Sequence, residues 1–398
     1  MQPYRLAVLN SHVIQYFAPL YRRLAQETDI DLTVYYCSRQ GLDAYADAGF
    51  GGQQIQWDVP LLEGYRAVFL DNLRQSKGVG GFWSLINPGI LDELRRQRYD
   101  ALWVHGHNHA TYLMAYTAAR LAGTAIFARG ETHLLLRRSA VKRLLRRPLL
   151  HWFYARCDAC LAIGSRNADF YRHHGVPDRK IFPVPYAVDN ARFMALSDAG
   201  RSRAAALKAG LGLGSEVPVL LFASKFTQRK HPLDVLRAKA ALQDRGLECA
   251  LLLIGAGEQE RSLRQYCRER GLRDVQFLGF RNQCELPGFY ALADIFILPS
   301  ESEPWGLIIN EVMCAGVAIV ATEEVGAVAD LVRAGDNGLL YPARDIGRLT
   351  DQIASLLQDP ARCRRMGVRS REIIADWSYE QCVIGVKAAL RAVRPEGG

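Results

Sequence analysis

Short apolar runs alternate with helix-like segments along the whole chain, and this alternation is the feature that most limits how the chain can fold. YRLAVLN, DLTVYYC, YRAVFL, DALWVHG, AIFARG, DACLAIG and IFPVPY recur through the first half, separated by segments such as APLYRRLAQE, NPGILDELRRQ and ATYLMAYTAARLAG. The second half repeats the rhythm with VPVLLFASK, CALLLIGAG, VQFLGF, DIFILPS and AIVAT, spaced by HPLDVLRAKAALQDRG, QERSLRQYCRERG and PGFYALAD. Strands alternating with helices build parallel sheets covered on both faces. The 398 residues are more than one core usually organises. The expectation is an α/β protein of two facing, doubly wound Rossmann-like domains, 1–195 and 196–376, joined near Asn190 to Arg203. A C-terminal helix over 377–398 is expected to cross back onto the first domain. In open α/β sheets the ligand sits beyond the carboxyl ends of the strands, which places the chemistry in an interdomain cleft.

Other classes are excluded early. No window holds eighteen consecutive apolar residues, and MQPYRLAVLN enters a strand-like run without a basic n-region and cleavage site, so neither a spanning segment nor an export signal is expected. Nine cysteines, an odd number, argue against a disulfide framework and for a reducing, cytoplasmic setting. Cys157 and Cys160 form a CxxC, but a zinc site needs a second ligand pair.

The net charge of +9 is concentrated in the first half, where residues 1–196 hold 24 Lys and Arg against 16 Asp and Glu. Much of the excess lies in Leu134 to Arg156, which contains no acidic residue. Arg137, Arg138, Lys142, Arg143, Arg146 and Arg147 interleave there with Leu and Val at near-helical spacing. Two readings fit: an amphipathic helix drawn to an anionic membrane surface or an acidic ligand, peripheral on the inner face of the membrane, or a solvated basic face. No nucleic-acid motif accompanies it, and no nucleic-acid partner is expected.

The informative residues fall at strand ends. VLLFA is followed by SKFTQRKHP, where Lys225, Arg229 and Lys230 precede a helix and could converge on a phosphate. CALLLI is followed by Gly255 and Gly257, a pair that many strand-to-helix turns need for packing alone. ILPSESEPWGLIINEVMCAG sets Glu303 and Glu311 eight positions apart, with Pro304 expected as the first helical residue. On that reading Glu303 stands at the helix mouth and Glu311 two turns inside, and the amides of Trp305, Gly306 and Leu307 face the ligand as donors. Apolar residues flank Glu311 on both sides, so its carboxylate needs a partner.

The Glu-x7-Glu pattern, preceded by a strand ending in PS and followed by EVMCAGVAIVAT, resembles the signature of the family 4 retaining glycosyltransferases of the GT-B fold. SKFTQRK, LIGAGEQE, FLGF, LPGFYALADIFILPS and GAVADLVRAGDNGLLYP follow that family's order. The resemblance implies that Lys225 and Lys230 hold the diphosphate of a nucleotide-sugar donor, a UDP- or GDP-sugar, with no permanently bound cofactor. It implies that Glu311 binds the ribose and Glu303 approaches the donor sugar, that Gly306 and Leu307 offer amides, and that Phe280 and Arg281 border the base pocket. His105, closing DALWVHG, resembles the histidine that faces the donor sugar. His107, Arg129 and Glu131 are candidates for the acceptor side, with an Arg129–Glu131 ion pair that merely fixes the loop as the structural alternative. HGHNH suggests a metal, but the family uses none for catalysis. The loop after the first strand departs from the pattern, lacking the usual glycine pair. The implied activity is sugar transfer to an unknown acceptor hydroxyl, in polysaccharide, glycolipid or natural-product synthesis. A same-fold epimerase or phosphorylase, or a non-catalytic sugar-binding or membrane-docking protein, are the alternatives.

Overall fold

The computed structural model describes residues 2–74, 78–136 and 140–394, with the backbone only for 140–144. In chain order the strands are β1 (Tyr4–Asn10), β2 (Ile30–Tyr36), β3 (Tyr45–Asp47), β4 (Gln53–Ile55), β5 (Arg66–Phe69), β6 (Ala101–His105), β7 (Ala125–Arg129), β8 (Ala159–Ala162) and β9 (Ile181–Pro183). They continue as β10 (Val219–Ala223), β11 (Ala250–Ile254), β12 (Val275–Gly279), β13 (Ile295–Leu298), β14 (Ala318–Thr322) and β15 (Gly338–Tyr341).

Two compact units result. The first comprises Met1–Tyr45, Val59–Tyr186 and Tyr379–Gly398; the second comprises Ala46–Asp58 and Ala187–Ser378.

In the first unit seven strands pair in parallel in the order β5-β2-β1-β6-β7-β8-β9. Apolar runs without in-and-out alternation form the centre: Leu6–Leu9 of β1 and Ala101–Val104 of β6 are wholly buried because helices cover both faces. The helix Ala110–Ala122 stops at Gly123, whose φ of +72° ends it in the left-handed conformation. The C-terminal helix Tyr379–Val393 belongs to this unit. It lies so close to β9 that a Cβ on Gly385 would sit 1.8 Å from the Pro183 carbonyl oxygen.

The second unit has six parallel strands in the order β12-β11-β10-β13-β14-β15, and β10, β11, β13 and β14 are buried along their whole lengths. Renumbered within the unit, the order reads 3-2-1-4-5-6, that of a Rossmann fold, with its switch point between β10 and β13. The first sheet obeys the same order, with its switch point between β1 and β6.

Three expectations about organisation change. The chain enters the second unit at Ala187 rather than near 196. Asn190–Arg201 is a helix of that unit, not a joint, capped by the Asp189 side chain accepting from Arg192 N at 3.1 Å. It is anchored by buried Phe193 and by Asn190 Nδ2, which donates to the Ile374 carbonyl at 2.7 Å. Finally, Ala46–Asp58, with the small ribbon of β3 and β4, belongs to the second unit although it lies within the first half of the sequence. Among the described residues no helix is long and apolar enough to cross a membrane.

Candidate active site

In the second unit the loops after β10 and β13, on either side of the switch point, carry the charged residues. Lys230 ends a single 3-10 turn, Gln228–Lys230, and its ammonium forms an ion pair with the Glu303 carboxylate. Arg229 Nη1 lies 3.6 Å from the same carboxylate. Burial pulls the Lys230 pKa down, Glu303 opposes that, and the neighbouring cations Arg229 and Lys225 add to the lowering. His231, at φ +49°, lets the chain turn into the helix Pro232–Asp244. Its Nε2 lies 3.0 Å from Glu301 Oε2 and its Nδ1 3.3 Å from Asp234 Oδ2. Arg344 Nε also donates to Glu301 Oε2, at 2.9 Å. Lys230 and Arg229, expected to converge on a phosphate, thus meet the Glu303 carboxylate, and Glu301 with His231 and Arg344 lies beside them, a contact set the sequence does not signal.

The expected helix start at Pro304 is wrong. The helix runs Ile308–Cys314, because Gly306 sits at φ +94° and Glu303 and Trp305 give their carbonyls to Gly326 N (3.0 Å) and Ala327 N (2.9 Å). An extended segment bonded to a neighbouring loop cannot also close a helical turn. Glu311 accordingly stands in the first turn, not two turns in. It is 1% exposed and finds the partner its burial demands in Tyr290, whose hydroxyl donates to Oε2 at 2.6 Å. Gly306 and Leu307 leave their amides without a hydrogen-bond partner among the described residues, so both remain donors. The indole of Trp305 is buried, donating to Asn310 Oδ1 at 3.0 Å and stacked on Trp377.

Gly255 has a packing reason of its own. At φ +132° a Cβ there would lie 2.0 Å from the Ser224 carbonyl oxygen, so the loops after β10 and β11 could not approach.

Lys225 is not beside Glu303. Its ammonium donates to both carboxylate oxygens of Asp47 at 3.0 Å and sits 4.8 Å from the centre of the Phe50 ring. The segment Ala46–Asp58 thus covers the region expected to hold the base. Phe50 and Trp57 meet Phe280 edge-on at 5.1 and 6.2 Å, and Asn282 Nδ2 donates to the Gln56 carbonyl at 2.6 Å. Arg281 turns to Glu285, at 3.0 Å. Nothing in the sequence pattern signals this excursion, since three-residue strands carry no usable periodicity.

In the first unit a cavity of about 420 Å³ opens at the switch point, lined among others by Asn10, Ser11, His105, His107, His109, Arg129, Glu131 and Arg146. His105 closes β6, stacks on Trp103 at 5.2 Å and shares a 3.0 Å hydrogen bond with the Tyr21 hydroxyl. Burial, then the Arg129 cation, hold its pKa well below the usual histidine value, so it is neutral. Arg146 Nη2 is 3.4 Å from His107 Nε2. The suggested Arg129–Glu131 ion pair is not formed: Glu131 is exposed and accepts from the Tyr186 hydroxyl at 2.5 Å, while Arg129 is 3% exposed and donates to the Pro185 carbonyl. No group of three or more His, Cys, Asp or Glu among the described residues could hold a metal ion. Cys157 and Cys160 are buried beside and on β8, and burial raises both thiols.

Comparison with known proteins accounts for both units. The family model described as Glycosyltransferase Family 4 matches residues 13–192, and that described as Glycosyl transferases group 1 matches residues 205–373. The D-inositol 3-phosphate glycosyltransferase of Nocardia farcinica is 30% identical over 333 residues, 80% of this chain and 68% of that protein. The N-acetyl-alpha-D-glucosaminyl L-malate synthase of Bacillus anthracis is 32% identical over 176 residues, 44% of either chain. Over the alignments to several curated relatives, the chain thus spans about half their length. In fold, the Anabaena protein HepE, solved with UDP and glucose, superposes over 98% of this chain and 100% of its own with a TM-score of 0.71 at 16% identity. The chain belongs to the family 4 glycosyltransferases, proteins of the GT-B fold.

Proposed function

We propose that the protein is a retaining glycosyltransferase that moves a sugar from a nucleoside diphosphate donor to an acceptor hydroxyl. The observation that carries this reading is the Lys230–Glu303 pair, which spans the switch point of the second sheet, where open α/β folds take their nucleotides. The UDP and glucose held by HepE support a nucleotide-sugar donor of this kind. Lys230, Arg229 and the amides of Gly306 and Leu307 neutralise the charge that grows on the diphosphate as the anomeric bond breaks. The acceptor hydroxyl attacks from the face the diphosphate leaves, and its proton passes to the departing phosphate oxygen. Glu303 and Glu311 hold sugar and ribose in place, so the rate comes from preorganised charge and positioning rather than from a protein nucleophile or a bound metal.

The test is incubation with UDP- and GDP-sugars and a panel of hydroxyl acceptors, with the anomeric configuration of the product read by NMR. Lys230→Ala should lower turnover by a factor on the order of 100. An inverted product, or unchanged turnover in folded Lys230→Ala, would overturn the mechanism.

A location at the cytoplasmic face of a membrane is the second part of the reading, favoured by one feature. On the helix Ala140–Ala155, Leu145, Leu149 and Trp152 are 71, 62 and 54% exposed at helical spacing, with exposed Arg147 beside them and Arg156 stacked on Trp152 at 4.1 Å. An apolar stripe edged by arginines is the surface that anionic lipid selects. Arg137 and Arg138 lie outside the described residues, as do the side chains of Lys142 and Arg143.

A further inference from the structure

Arg129 closes β7 in register with His105 of β6 and is among the residues that line the first unit's cavity. The side chain is 97% buried, with the guanidinium carbon 5.3 Å from the ring centres of Trp103 and Tyr186 and 5.7 Å from that of Phe17. Nη2 donates to the Pro185 carbonyl at 3.5 Å, and Nη1, also buried, has no hydrogen-bond partner among the described residues. Among the described residues no carboxylate pairs with Arg129 or with Arg146, which lines the same cavity; Glu131 is engaged by Tyr186. A guanidinium cannot escape burial by losing its proton, and aromatic faces replace only part of its hydration. Two cations against the single carboxylate of Glu131 in the described lining, with His105 and His109 held toward neutrality, leave the cavity with an excess of positive charge.

We propose that the acceptor carries an oxyanion, a carboxylate or a phosphate, seated in this cavity beside the Arg129 guanidinium with Arg146 as the second cation. The proposal rests on the reading of the chain as a glycosyltransferase whose acceptor is held by the first unit. His109, with Asn10 and Ser11, is left to take the uncharged hydroxyls of the same molecule, and about 420 Å³ suits a small one.

D-glucose, D-glucuronate and D-glucose 6-phosphate share a ring and differ in charge, so they serve as probes. Titrated calorimetrically into the full chain at about 0.15 M salt, at least one of the anions should bind roughly tenfold or more tightly than glucose. Which one does so identifies carboxylate or phosphate. Arg129→Gln should abolish the preference while the apparent Tm holds or rises, because an unpaired buried charge has been removed. Arg129→Lys should keep part of it. Arg146→Ser, at a half-exposed position, should reduce it severalfold and carries the test if Arg129→Gln does not fold. No anion preference in the wild type, whether from equal binding or from none, overturns the proposal, as does a preference that survives Arg129→Gln. UDP and GDP are titrated separately. A tenfold loss of their binding in Arg129→Gln would assign the arginine to the donor and overturn the acceptor role. Failure of the wild type to bind either nucleotide would instead count against the glycosyltransferase reading itself.

Discussion

The ammonium of Lys225 lies 3.0 Å from each carboxylate oxygen of Asp47, so a residue expected to hold the donor diphosphate is already occupied by a carboxylate. The pair is partly solvated, with side chains 38 and 18% exposed, and such pairs contribute about 1 kcal/mol or less to stability. A diphosphate that engages Lys225 must displace Asp47. Asp47→Asn should therefore tighten nucleoside diphosphate binding by a few-fold, with little change in melting temperature; calorimetry measures it. Weaker binding in the variant would show that Asp47 assists the donor rather than competing with it.

The two glutamates should separate functionally. Glu311, buried against Tyr290, is expected to act on the nucleotide, so Glu311→Gln should weaken nucleoside diphosphate binding by roughly tenfold, the cost of one charge-assisted hydrogen bond. Glu303→Gln frees Lys230 and Arg229 for the diphosphate, so affinity should hold or rise while kcat falls on the order of 100-fold. Equal loss of nucleotide affinity in both variants would refute the division of labour.

Acid should destabilise the protein well before its carboxylates titrate. Burial holds His12 and His174 down at about 4, and lowers His105 and His109 as well. Below the ordinary histidine value of 6.5 the unfolded chain takes up protons that the folded chain refuses, so stability present at neutral pH is lost as pH falls from 6.5 toward about 4. Each such histidine contributes a slope of about 1.4 kcal/mol per pH unit within that window. His231, raised by Asp234 and Glu301, acts only above 6.5: its stabilisation is fully present below that value, so it does not oppose the loss. Apparent Tm measured from pH 7 to 5 should fall, and His174→Gln should flatten the curve. A flat wild-type profile would mean these histidines titrate normally.

The exposed stripe of the basic helix predicts salt-sensitive sedimentation with anionic vesicles and little with neutral ones. Each lysine or arginine near such a surface contributes on the order of 1 kcal/mol. Leu149→Glu should abolish the interaction without affecting turnover on a soluble acceptor. Equal, negligible sedimentation at low and high salt with both lipids would leave the helix as a solvated face.

The double-wound sheets were legible in the sequence because buried parallel strands are written as unbroken apolar runs, as in VLLFA and ALLLI. Lys230 and Glu303 were legible as members of two strand-end motifs, but their pairing with each other was not. The helix start was misread because Pro304 is a good first helical residue by propensity, whereas Gly306 at φ +94° and the hydrogen bonds from Gly326 and Ala327 decide the backbone there. Asp47, Phe50 and Trp57 were invisible for a different reason. Their place beside Lys225 and Phe280 depends on contacts more than 170 residues apart in sequence, which no local pattern encodes.

The excursion of Ala46–Asp58 means that the polypeptide passes from one unit to the other four times, at 45/46, 58/59, 186/187 and 378/379. Neither half of the gene product is then a self-sufficient fragment. A piece ending at Tyr186 would carry thirteen residues that belong to the other unit and lack the helix that seals β9; the complementary piece would lack the segment that meets Phe280 and Lys225. Proteolytic nicking at 186/187 should leave a complex that survives gel filtration, and the two pieces should be soluble when co-expressed but not when produced singly.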